Sequence, residues 1–585
     1  MENSKRWHFL RDAWRLAKPY WVCEDKWRAW GLLAAVVALN LGSVYINVRI
    51  NFWRNDFYNA LQNLDEHAFF MQLGVFTLLA FGGIVVAVYQ TYLQQMLQIR
   101  WRRWLTRQYL RDWLDSKSYY RLQLEGSETD NPDQRIAEDL NRFTDVSLSL
   151  TLGLMNSVVT LLSFLEILWV LSGPLTIPLG SAGAIPVPGY MVWFALLYAI
   201  AGTWITFRIG RPLIALNFQQ QRYEADFRFS LVRLRENTEA VALYGGEPRE
   251  LATFRERFAH VVDNFWAIML RIKAIGWWTY FYSQFAIIFP YLVSAPRFFA
   301  KEIQLGGLMQ TADAFGQVQS ALSFFIGVYT TGTGANDTGI AAWRSVIARL
   351  VSFDERVREL AAAAKEPQPI AIDRAGEGVA VHDLALDLPG GVPLLRHVEL
   401  AVKPGDATLI TGPTGAGKST LLRALSGIWP YGKGAVSLAA GRLLFLPQKP
   451  YMPLGTLREA LEYPREKLDI PDDRLKAVME MVGLGAFAGR LDEPDNWAQR
   501  LSLGEQQRLS FARVLLTEPN LVFLDEATSA LDEPSEAKFY KMLREALWHP
   551  TIVSVGHRGT LAAFHDQQFD IAGFRVDRTP VTKPV

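Results

Sequence analysis

Five runs of about 20 apolar residues, near 29–48, 69–93, 151–172, 187–207 and 275–295, limit what this chain can fold into. In hydrocarbon every backbone N–H and C=O must be satisfied internally, so such a run crosses as a helix. Each has about the length that a helix needs to span a bilayer. A sixth run, near 312–332, is weaker because it carries Asp313, Gln317 and Gln319. Half of the 585 residues are apolar and 19 are Trp, yet all these runs lie before residue 335. The chain is too long for one core, and at least two domains are expected.

Basic residues set the orientation. Lys5, Arg6, Arg11, Arg15 and Lys18 precede the first run. Arg100, Arg102, Arg103, Arg107 and Arg111 follow the second, and Arg208, Arg211, Arg222, Arg228, Arg233 and Arg235 follow the fourth. The segment Ser172–Val187 has no charge. Both termini are therefore expected in the cytoplasm. Residues 1–28 read as a cytoplasmic segment without the apolar core and cleavage site of a signal peptide. Residues 29–350 read as a transmembrane domain whose helices extend far into the cytoplasm, as the helical spacing of Phe227, Leu231 and Leu234 suggests. Pro290 should bend the fifth span. Ile340 to Leu360 looks helical, composition changes at Ala361–Pro369, and 351–371 is taken as a linker before a soluble domain at 372–585. The single cysteine, Cys23, excludes an internal disulfide, and a net charge of +1 supplies no global field for nucleic acid.

The soluble part carries Gly412-Pro413-Thr414-Gly415-Ala416-Gly417-Lys418-Ser419 between a strand-like run, Ala407 to Ile410, and a helix-like one, Thr420 to Leu425. This is the strand–loop–helix setting of a phosphate-binding loop. Glycines let successive N–H groups turn inward, and the helix N-terminus adds its positive end. Lys418 would reach the β- and γ-phosphates of ATP, and Ser419 would ligate Mg²⁺. A nucleotide domain must lie on the ATP side, which makes the run near 312–332 a sixth span.

Leu521 to Asp525 is an apolar strand ending in two carboxylates, Asp525 for the Mg²⁺ shell and Glu526 for polarising water. In Leu501-Ser502-Leu503-Gly504-Glu505-Gln506-Gln507, Ser502 and Gly504 would open a helix toward an anion, although a plain helix cap by Ser502 explains them equally. Gln448 follows one strand-like run and His557 another.

Together these segments closely resemble the ATP-binding-cassette ATPases over about residues 375–560. The resemblance implies an α/β P-loop ATPase domain that pairs head to tail with a second copy. It implies that Lys418, Ser419 and Thr420 bind phosphate and metal. It makes Gln448 the Q-loop residue near Mg²⁺, Ser502, Gly504 and Glu505 the signature segment, Asp525 and Glu526 the Walker B pair, Ser529–Asp532 the D-loop, and His557 the switch histidine. Leu503 and Glu505 depart from the family's Gly and Gln. The usual adenine-stacking aromatic is missing from Val381–Pro389, which leaves an aliphatic residue such as Leu388 to cover the base.

Asn131–Asp139, Glu224–Arg228, Arg235–Glu239 and Tyr244–Glu247 look like segments of the SbmA/BacA-related transporters, their fused-ATPase bacterial relatives and the peroxisomal acyl-CoA half-transporters. These polar stretches are expected to dock on the nucleotide domain. The resemblance implies an all-α six-helix exporter-type membrane domain in a homodimer of a bacterial inner membrane. Import of hydrophilic solutes such as peptide antibiotics or cobalamin is the first expectation. The alternatives are an acyl-CoA or lipid-like transporter, or a regulatory ATPase that moves nothing. Glu166, inside the third span, reads as either a transport-path residue or a helix-to-helix hydrogen bond.

Overall fold

The computed structural model describes residues 2–125, 131–178, 184–330, 339–465 and 470–576. They form two compact units, Met1–Asp112 with Thr129–Arg356, and Trp113–Glu128 with Val357–Val585.

The helices in chain order are α1 (Glu2–Val22), α2 (Lys26–Gln62), α3 (Glu66–Leu114), the short α4 (Ser118–Leu124), α5 (Leu140–Ser172), α6 (Tyr190–Gly210), α7 (Pro212–Glu236), α8 (Glu247–Phe299), α9 (Leu305–Thr330) and α10 (Ile340–Lys365). Among the described residues, four helical stretches are long and apolar enough to cross a membrane: Lys26–Gln62, Glu66–Leu124, Pro132–Ser172 and Tyr190–Glu236. The fifth and sixth runs are helical but less apolar. The fifth is rich in Trp and Tyr, and α9 carries Gln310, Asp313, Gln317 and Gln319. α8 continues through Pro290 and Pro296 as one helix. α10 extends to Lys365, so most of segment 351–371 is helical.

The weakest run by composition occupies the middle of the bundle: α9 packs against α2, α5, α6 and α8. Phe315 and Val318 of α9 bury against Phe164, Leu168, Met191 and Ala195. Its carboxylate is neutralised locally, because Asp313 accepts from Arg54 at 2.5 Å and from Asn51 at 2.8 Å. An ion pair of this kind is what makes a carboxylate tolerable among apolar helices. α3 is the opposite case. Phe70, Leu78, Phe81, Ile84, Val88 and Tyr92 are all exposed, an apolar face that needs lipid or another chain around it.

The segment Asn131–Asp139, expected to dock on the nucleotide domain, belongs to the first unit. Asp139 is 2% exposed and is held by Arg135 at 2.9 Å and by Arg349 at 2.6 and 2.9 Å. A buried carboxylate between two guanidiniums fixes α5 to α10; its charges are already matched within this unit. Residues 224–247 also lie in the first unit. Residues 113–125 belong to the second unit: Leu124 of α4 lies against that unit's core, and Arg121 donates to Gln368 at 3.4 Å.

β1 (Pro174–Pro178) and β2 (Ala184–Pro188) pair antiparallel in the first unit. The second unit has two large sheets besides a two-residue antiparallel pairing of Gly455–Thr456 with Pro494–Asp495. β3 (Ile370–Gly376), β4 (Val379–Asp387), β5 (Pro393–Val402) and β7 (Gly432–Ala439) form a four-stranded sheet in the order β3-β7-β4-β5. β6 (Ala407–Thr411), β8 (Leu443–Leu446), β9 (Leu521–Asp525), β10 (Thr551–Val555) and β11 (Gln567–Asp570) form a five-stranded one in the order β11-β6-β10-β9-β8. All its pairings are parallel. Parallel strands are covered on both faces, which explains why β6, β9 and β10 are continuous apolar runs. Helix α11 (Lys418–Leu425) follows β6, α12 (Leu503–Thr517) precedes β9, and α13 (Glu533–Arg544) follows it.

Candidate functional site

Ligands of open parallel sheets bind beyond the C-terminal ends of the strands. Here β6 ends at Thr411, β9 at Asp525 and β10 at Val555, and the sequence-selected residues follow them directly. Gly412 and Gly417 have φ of 139° and 103°, backbone conformations that side chains rarely adopt. A Cβ on Gly412 would also lie 2.7 Å from Ile571. The loop therefore curls into the first turn of α11, whose leading amides have no intrahelical partner.

Lys418 folds back over this loop, its Nζ donating to the carbonyls of Gly412 at 2.8 Å and Pro413 at 3.1 Å. Burial lowers its pKa, against the opposing pull of Glu526 and Asp525. Ser419 Oγ donates to Asp525 Oδ1 at 2.9 Å. Burial raises the Asp525 carboxyl above its ordinary range, with the Ser419 hydrogen bond opposing and the Glu526 charge adding to the rise. Glu526 accepts from Gln448 Nε2 at 2.9 Å and meets His557 Nε2 at 3.0 Å. Its φ of 50° places it in the left-handed region, a strained conformation of the kind found at functional sites.

Ser419 and Asp525 thus offer two oxygens at one point, which fits a hard divalent cation such as Mg²⁺. Among the described residues no group of three or more His, Cys, Asp or Glu could hold a metal. A cation here would complete its shell from phosphate and water, as Mg²⁺ commonly does. Gln448 places its amide nitrogen on Glu526, the residue that follows Asp525.

Ser502 caps α12 in a capping box. Its Oγ accepts from the Glu505 amide at 3.3 Å, while its own amide and hydroxyl both donate to Glu505 Oε2 at 2.8 Å. Gly504 approaches segment 529–532 closely: a Cβ there would sit 3.1 Å from the carbonyl of Ala530. Among the described residues no hydrogen bond joins Ser502, Gly504 or Glu505 to residues 412–420. Leu503 is exposed at 42%.

Three residues to which the sequence reading gave no role tie segments of this unit together. Gln507 donates to Gln448 O at 2.9 Å and to Ser529 Oγ at 3.2 Å, and accepts from the Ala530 amide at 3.0 Å. Arg558 donates to Leu531 O at 2.8 Å and to Ser529 O at 3.3 Å, tying the strand end at His557 to segment 529–532. Arg513 donates to Ala460 O at 2.8 Å and Tyr451 O at 2.9 Å; burial holds its pKa down to about 10. Gln507 adjoins the signature segment and Arg558 adjoins His557, so proximity was their available signal. Nothing in the pattern distinguished Arg513.

Leu388 is partly buried against the core of this unit. In the first unit, Glu166 is exposed on a groove of about 610 Å³ between α2 and α5, beside Ser163, Tyr45 and Gln310.

A family model described as ABC transporter transmembrane region 2 matches residues 16–299, and one described as ABC transporter matches residues 395–529. The ABC transporter D family member 2, chloroplastic, of Arabidopsis thaliana is 35% identical over 638 residues, covering 96% of this chain and 86% of its own. The chain belongs to the ABC transporter family. The inner membrane ABC transporter ATP-binding protein YddA of Escherichia coli is 34% identical over 559 residues, covering 95% of this chain and 96% of its own. A solved bacterial Atm1-family ABC exporter with ATP bound shares the fold, with a TM-score of 0.71 at 18% identity and 94% coverage of both chains. This transporter is a half-transporter with fused membrane and ATPase domains, related to the D family, and it couples ATP hydrolysis to transport.

Proposed function

We propose that two copies of this chain pair in a bacterial inner membrane, with six spans each, and use ATP to move hydrophilic solutes inward. The observation that carries the pairing is that, among the described residues, no hydrogen bond joins the capped segment Ser502–Glu505 to the loop Gly412–Thr420 of the same chain. A second copy would bring the missing half to each nucleotide. In this reading the loop amides and Lys418 hold the phosphates. Ser419 and Asp525, with Gln448 nearby, would hold Mg²⁺, which neutralises phosphate charge when bound. Glu526 orients and polarises water, and His557 sets the Glu526 carboxylate and reaches the γ-phosphate. Ser502, Gly504 and Glu505 close the partner's site. Glu166 lies on the transport path.

Peptide antibiotics and cobalamin-like molecules are the solute classes supported by the resemblance to SbmA/BacA-related transporters. The test is reconstitution in vesicles with the C-terminal unit outward and labelled cobalamin or peptide inside. ATP added outside should empty the lumen of label. ATP-driven accumulation in the lumen would overturn inward transport, and ATP hydrolysis without movement of either solute would overturn this substrate reading.

A further inference from the structure

The first unit holds a second cavity, of about 510 Å³, whose lining differs in kind from the groove at Glu166. α2 contributes Asn47, α5 contributes Asn156 and Thr160, α8 contributes Ser283, and α9 contributes Gln317 and Gln319. Serine hydroxyls fill most of the remaining wall, and among the described lining residues none is charged. Asn156 and Thr160 are four residues apart, so they share one helix face. Gln319 Nε2 donates to Ser323 Oγ at 3.0 Å, which orders part of the wall.

Uncharged polar groups gathered from four helices are costly in a bundle that lies in lipid, because each loses its water. The neighbouring core of Phe164, Phe315 and Val318 shows that the same helices pack without them. A volume of this size lies in the range of small-molecule sites. Side-chain amides and hydroxyls supply donors and acceptors in similar number but no counter-charge. An anion or cation entering would give up hydration without a compensating partner. A solute with its own amides or hydroxyls would exchange its water for matched hydrogen bonds, and an analogue lacking them would leave wall groups unpaired.

We infer that this cavity is the solute-recognition site and that it selects uncharged, amide- or hydroxyl-rich molecules over anionic thioesters of coenzyme A. This deepens the transport reading above and rests on it, but its test is binding. Full-length protein in lipid nanodiscs is equilibrated with a radiolabelled tetraserine peptide, acetylated and amidated at its ends. Saturable binding is expected, at least tenfold tighter than that of the succinylated, free-acid peptide, and not displaced by palmitoyl-coenzyme A. Asn156→Leu and Gln317→Leu should each weaken it at least tenfold. Asn47→Asp should shift preference toward the capped peptide with one lysine, a gain that misfolding cannot mimic. No saturable binding, equal binding of the anionic peptide, or an unaltered preference in all three variants would overturn the inference. The vesicle assay separates the two readings. Selective binding without ATP-driven movement defeats transport and leaves the cavity standing; ATP-driven movement without selectivity does the reverse.

Discussion

Glu526→Gln removes a negative charge and almost no volume from a carboxylate with two direct partners, Gln448 at 2.9 Å and His557 at 3.0 Å. The amide keeps one acceptor oxygen and replaces the other with a donor. His557 can present its unprotonated ring nitrogen to that donor, so the local hydrogen bonds survive in altered form. Glu and Gln are both unbranched at Cβ, so the left-handed backbone at position 526 is expected to cost them alike. With the side chain 24% exposed, the expected stability change is about 1 kcal/mol or less. The rate should respond differently. A positioned acid–base group contributes about 10²–10⁴-fold, equivalent to about 2.7–5.4 kcal/mol of barrier. ATP turnover of the reconstituted protein should therefore fall by two to four orders of magnitude. Equilibrium ATP binding should change by less than about threefold, since the phosphate contacts are assigned to Lys418 and the loop amides. Turnover within a factor of three of the parent, or loss of ATP binding, would refute the assigned role.

Ser502 can be divided into its two duties. Ser502→Ala should lose the cap, about 1 kcal/mol of stability, together with turnover. Ser502→Asp keeps an N-cap side chain and should retain the melting temperature, yet it places a carboxylate where the partner's phosphate would lie. Full turnover by the Asp variant would remove this segment from the nucleotide site. Burial lowers the His565 pKa below its ordinary value, with the Leu561 carbonyl, 2.7 Å away, opposing the shift. A depressed histidine gives stability that is present above about pH 6.5 and is lost as pH falls through the folded value. Melting of the parent should therefore drop between pH 7.5 and 5.5, and His565→Phe should drop less. Equal losses would exclude His565 as the cause.

Much of the loop and strand-end arrangement around Gly412–Ser419 and Asp525 was legible because its backbone geometry forces residue type and order together. A curled loop needs glycine, and a carboxylate at a buried strand end needs the apolar run before it. The membrane helices were legible as well, since hydrocarbon admits few alternatives to a helix. What was hidden is pairing across distance. Nothing local to Asp139 announces Arg349, 210 residues away, as its partner. Asp313 weakened the sixth run by composition while Arg54 was already placed to neutralise it. Gln507 and Arg558 act through backbone carbonyls and amides, which carry no residue-type signature. The cavity between Asn47 and Gln319 exists because four helices meet, and no single helix displays it.

Residues 113–128 count with the ATPase unit although they lie between α3 and α5 in the chain. A fragment begun at residue 357 would consequently lack part of its own packing. The surface that Leu124 covers would meet water, and Gln368 would lose Arg121. Expression of the soluble half by itself should give a protein prone to self-association, and a covalently appended peptide of sequence 113–125 should cure it.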